Sequence, residues 1–104
     1  MDKLAALKEI LAMDTKNSFA RYGIAMELVS QGKATEAIAE FDALLNYDPE
    51  YTAGYFMAAQ TLSELGRKPE AMGRLKDGIS CAARNGNAHA LNEMQAMMDD
   101  LERA

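Results

Sequence analysis

His89 and Cys81 have the widest chemical range of any side chains in this sequence, and each residue type occurs once. A zinc site needs three or four ligands. One histidine and one cysteine cannot supply them, and no run of carboxylates completes the set. His89 is expected to be an exposed or capping residue near the start of the last helix. Cys81, beside Ile79 and Ala82, is expected to be a half-buried structural thiol, because no adjacent histidine or cationic cluster would activate it. Gly73 and Gly78 stand alone and form no phosphate-cradling loop. Carboxylate pairs such as Asp99-Asp100 have no apolar pocket to raise a pKa. The residues point away from catalysis, and no cofactor or metal is expected.

Charge narrows the partners further. Eleven Lys and Arg stand against 16 Asp and Glu, a net charge of −5. An acidic chain gains little from the counterion release that drives non-specific nucleic-acid binding. Arg67, Lys68, Arg74 and Lys76 form a local basic run, but Glu64, Glu70 and Asp77 interleave with it, as on a solvated helix face. A single cysteine permits no internal disulfide, which fits a reducing compartment. Lys3, Lys8 and Glu9 interrupt the start before a signal-length apolar run builds up. No segment reaches the roughly 18 uninterrupted apolar residues of a membrane span. A cytoplasmic protein acting on neither nucleic acid, membrane nor small-molecule substrate is the expectation.

The elements that would position any site are all helical. Apolar residues make up 49% of the chain and charged residues 26%, an ordinary globular balance. Good helix formers dominate, and no stretch alternates like a strand. Leu4, Leu7 and Leu11 give a first amphipathic helix, broken by residues 14–17. A second helix is predicted over about 18–31, with Asn17 or Ser18 as N-cap and Gly32 as terminator. A third runs over about 35–46 and ends at Asp48-Pro49. A fourth covers about 51–66. The fifth carries Pro69 in its first turn, where a missing N–H is tolerated, and closes at Asn85-Gly86. A last helix covers about 87–103.

The helices repeat in pairs. A shift of 34 residues superposes Ala25 on Ala59, Leu28 on Leu62, Gly32 on Gly66, Glu36 on Glu70 and Ala37 on Ala71. Five identities exceed the roughly two expected from average composition. Tyr22 with Phe56, Lys33 with Arg67, and Phe41 with Leu75 are conservative pairs in the same register. At these positions the chain resembles the tetratricopeptide repeat family, whose period is about 34 residues. In unit 18–51, the family's small and large apolar helix-A residues fall on Ala25 and Leu28. Its turn glycine is Gly32, its small helix-B residue Ala37, its packing aromatic Phe41 and its closing proline Pro49. Unit 52–85 offers Tyr55, Ala59, Leu62, Gly66, Ala71 and Leu75. Ala83 replaces the closing proline there, so that helix should run on by about a turn. Arg21 departs from the family's aromatic.

The resemblance implies an α-solenoid of antiparallel helix pairs, about six helices in one domain. Residues 1–16 would be a half repeat with helix B only, and 87–104 a capping helix. Packing gives the reason: small residues let paired helices approach, and neighbours stack to complete a core. Ala25, Leu28, Ala37, Phe41, Ala59, Leu62, Ala71 and Leu75 should therefore be buried.

In this family the helix-A residues line a concave surface that binds peptides. Carried over by position, the groove here would present Phe19, Tyr22 and Met26 with Gly23 and Ser30, then Phe56, Met57 and Gln60 with Ala53 and Glu64. None of these is the Lys, Arg or Asn with which one subclass clamps a partner's terminal carboxylate, so that activity is not expected. An apolar, methionine-bearing surface suits an amphipathic helix. The capping helix would alternatively cover much of it. That helix carries Leu91, Met94, Met98 and Leu101 in one stripe, with Met97 as surplus apolar surface. Leu4, Leu7, Ile10 and Leu11 likewise exceed what one neighbour covers. The leading expectation is a protein-interaction module for a peptide or helix of another protein. Self-association into a homo-oligomeric scaffold is the alternative.

Overall fold

The structure is a computed structural model that describes residues 2–104. Among the described residues every regular element is a helix: α1 (Lys3–Met13), α2 (Ser18–Ser30), α3 (Ala34–Tyr47), α4 (Thr52–Glu64), α5 (Lys68–Arg84) and α6 (Ala88–Arg103). This is the all-α, six-helix repeat fold expected from the sequence. No helix among the described residues is long and apolar enough to cross a membrane.

Local chemistry sets the boundaries. Asp2, Asn17 and Asn87 cap α1, α2 and α6, each side chain accepting a hydrogen bond from the amide three residues on, at 2.7, 2.9 and 3.1 Å. Three helices end at a glycine with positive φ: Gly32 (77°), Gly66 (76°) and Gly86 (66°). At each, the glycine N–H reaches back three residues and the next N–H five. Lys33 N to Leu28 O is 2.8 Å, Arg67 N to Leu62 O is 2.9 Å and Asn87 N to Ala82 O is 2.9 Å. This closure satisfies carbonyls that the helix end would leave bare, and it needs a residue free to turn left-handed. α5 has 17 residues where α3 has 14. With Ala83 in place of proline, nothing stops the helix at the repeat's register, and it gains about a turn.

The chain forms two compact units, the first ending at Tyr51 and the second spanning Thr52–Ala104. In the first, α2 packs against both α1 and α3. α1 meets α2 where Gly23 lies under Leu7, and a Cβ on Gly23 would stand 3.0 Å from Leu7 Cδ1. Ala25, Leu28, Ala37 and Phe41 are all buried, as the repeat register predicts. No residue of α1 is fully buried. Leu4, Leu7 and Leu11 are half-buried, while Ile10 and Met13 are exposed.

In the second unit, α5 is the central element, flanked by α4 and α6. Ala59, Leu62, Ala71 and Leu75 are again buried, with Met94 and Met98 from α6. Gly78 is buried where three helices converge. A Cβ there would stand 2.6 Å from Tyr55 Cβ and 2.5 Å from Met94 Sδ. Buried polar groups are satisfied: Thr61 Oγ1 donates to Met57 O at 2.7 Å.

Candidate functional site

Each unit holds three of the six residues assigned to the groove. In the first unit Phe19, in the first turn of α2, is 75% exposed. Tyr22 and Met26 follow one and two turns later and are half-buried. Tyr22 is bound into its own repeat: its ring meets Phe41 edge-on at 6.2 Å and lies 5.2 Å from Tyr51. Burial, with Tyr51 beside it, raises the Tyr22 phenol above the ordinary tyrosine value. Tyr22 is therefore as much a packing residue as a surface one. Phe19 is the freely presented aromatic of this unit.

Arg21, one step around α2, fills the family's aromatic position with a paired cation. Its Nη1 donates to Glu40 at 2.6 Å and its Nε to the Tyr47 hydroxyl at 3.2 Å. The guanidinium also lies over the Tyr47 ring, 5.6 Å from the centroid. Burial opposes the charge, but the hydrogen bonds that Arg21 donates to Tyr47 and Glu40 outweigh it and raise the Arg21 pKa.

In the second unit Phe56 and Met57 are half-buried and Gln60 is exposed. Phe56 and Gln60, one turn apart on α4, form one side of an open groove of about 400 Å³. Glu93, Ala96, Met97 and Asp100 of α6 form the other. Met57 is not among its lining residues. The last helix, α6, thus walls this groove instead of covering it. Its buried stripe, Met94 and Met98, turns elsewhere, and the surplus Met97 becomes groove surface. Repeat register pointed to the α4 side alone. The α6 side was written in a second helical series, 93, 96, 97 and 100, adjacent to the apolar series 91, 94, 98 and 101, of which Met94 and Met98 are buried.

The chemically versatile side chains have structural settings. Cys81 is wholly buried, more so than the half-buried position expected of it. Thr52 Oγ1 lies 3.3 Å from its sulfur, and Asn85 Nδ2 donates to it at 3.5 Å. His89 is exposed, 3.1 Å from Glu93 one turn along α6. No three His, Cys, Asp or Glu among the described residues come together as metal ligands.

Known proteins agree with this geometry. A family model described as tetratricopeptide repeat matches residues 28–94. A TPR repeat-containing protein of Pseudomonas aeruginosa is 26% identical over 101 residues, covering 97% of this chain and 96% of that one. The solution structure of a tetratricopeptide repeat domain protein from Salinibacter ruber is 29% identical with a TM-score of 0.81, over 86% of this chain and 90% of that one. PcrH, crystallised with the chaperone binding region of PopD, gives a TM-score of 0.90 at 16% identity, over 96% of this chain and 76% of PcrH. With the match running from inside the first 34-residue register through the whole of the second, and the glycine turns and small-residue contacts in place, the chain belongs to the tetratricopeptide repeat family.

Proposed function

We propose that this protein is a non-catalytic, cytoplasmic protein-interaction module that receives an apolar segment of another protein on its helix-A faces. An amphipathic helix is the favoured ligand. The observation that carries this reading is the second unit's groove: Phe56 and Met97 remain available because α6 packs mainly on α5. The exposed Phe19 of the first unit supports it independently. An apolar cleft with few polar groups is the usual form of a peptide or ligand site. PcrH, of the same fold, is known in complex with a segment of a partner protein. The repeat division proposed here is a half repeat over 1–16, full repeats over 18–51 and 52–85, and the capping helix over 87–104.

The test is capture of a partner from native cell extract by the wild-type chain and by a Phe19→Ala/Phe56→Ala variant, with circular dichroism on both. Capture should be lost in the variant at unchanged helical content. Persistence of capture would overturn the assignment. Phe19 is a better probe than Tyr22, whose removal would also loosen Phe41 and Tyr51.

A second reading, self-association, is favoured by Ile10 and Met13, exposed on α1 to 46% and 91%. Sedimentation at micromolar concentration distinguishes the two, since a strict monomer excludes the scaffold.

A further inference from the structure

The groove between α4 and α6 has a charge as well as a shape. Its apolar floor is Phe56, Ala96 and Met97, and its lining carboxylates, Glu93 and Asp100, both come from α6. They are seven residues apart on one helix, hence about 10 Å apart along its axis. Among the residues that line the groove these two carboxylates stand against no cation. Each lining carboxylate has a local, exposed partner. Glu93 faces His89, and Asp100 accepts from Arg103. Such exposed pairs on one helix are weak and are readily exchanged for a better cation.

We infer that the segment held in this groove is cationic: a short amphipathic helix with an apolar anchor and a Lys or Arg on either side of it. The anchor enters between Phe56 and Met97. Basic residues four before and three after it lie seven residues apart, and so meet carboxylates seven residues apart on α6. Two helices of equal rise keep that register along their whole contact. Electrostatic complementarity of this kind sets specificity and association rate more than raw affinity. It would exclude acidic segments, which the same apolar floor would otherwise accept. The inference rests on the reading of the groove as a binding site, and adds the partner's chemistry.

A displayed random-peptide library selected against the immobilised chain tests it, with Glu93→Gln/Asp100→Asn and Phe56→Ala variants in parallel. The wild type should enrich peptides with Lys or Arg flanking an apolar residue. One such peptide, remade synthetically, should bind the Glu93→Gln/Asp100→Asn variant at least about tenfold more weakly in low salt. Its affinity for the wild type should fall as salt rises. Enrichment of neutral or acidic apolar peptides, lost with Phe56→Ala, would overturn the charge inference and leave the groove standing. No enrichment, or enrichment indifferent to Phe56→Ala, would overturn both. A dimer in sedimentation that Phe56→Ala dissolves would put a second copy in the groove and also overturn the proposal.

Discussion

Arg21 shows what a single side chain can do with a position that its family gives to an aromatic. Its methylenes replace part of the ring's bulk, while Glu40 and Tyr47 take up the charge. The pair is neither deeply buried nor free in solvent, with side chains 19% and 29% exposed. Replacing Arg21 by methionine keeps the stem and leaves Glu40 without its cation. We expect a loss of about 1–2 kcal/mol, between the exposed and buried limits for such pairs. Urea unfolding of Arg21→Met, Glu40→Gln and the double variant would isolate the coupling, which should be favourable. The sequence marked Arg21 as a departure but gave no partner, because Glu40 and Tyr47 lie 19 and 26 residues on. Tyr22 was hidden in the same way. Register with Phe56 put it on the helix-A face, and only the fold shows its ring leaning on Phe41 and Tyr51.

At the scale of the helix, α5 carries two glycines with opposite roles. Gly73 is exposed and has nothing within 4 Å of where a Cβ would lie. Gly78 is enclosed by Tyr55 and Met94. Gly73→Ala should stabilise by about 0.5–1 kcal/mol, by restricting the unfolded chain and improving helix propensity. Gly78→Ala gains the same propensity but pushes α5 against the root of Tyr55, which cannot swing aside as Met94 can. It should destabilise by about 1–3 kcal/mol. Thermal unfolding of the two variants should move in opposite directions. Two like signs would overturn the close approach of α5 to Tyr55 at Gly78. Element positions were legible because caps, turn glycines and periodicity agree along the chain. The rotation of α6 about its own axis was legible too: the stripe of Leu91, Met94, Met98 and Leu101 was expected inside and Met97 outside, and Met94 and Met98 are buried while Met97 lines the groove. What the stripe alone could not show is that Glu93 and Asp100 flank Met97 in a groove, because α4 supplies the other side of it.

For the molecule as a whole, the small-residue contacts at Ala25, Ala37, Ala59 and Ala71 were readable from the repeat alone, and all four are wholly buried. Its response to alkali follows from three tyrosines. Burial raises the pKa of Tyr22, Tyr51 and Tyr55 above the ordinary value of about 10. The folded chain therefore holds these phenolic protons more tightly than the unfolded one. The stability they contribute is complete below about pH 10 and drains away as pH climbs through that value towards the folded ones. Urea midpoints should be insensitive to these groups between pH 7 and 9 and fall above about pH 10. The fall should be shallower in a Tyr22→Phe/Tyr51→Phe variant, and an equal slope would contradict the assignment. The outer side of α6 has a different consequence. An array of helix pairs lengthens by offering an oily flank to the next pair, and α6 offers Asn92, Gln95, Asp99 and Glu102 there, all exposed. A protein engineer wishing to stack a further pair on that stripe would first have to make it apolar, since Asp99 and Glu102 would lose their water there without gaining partners.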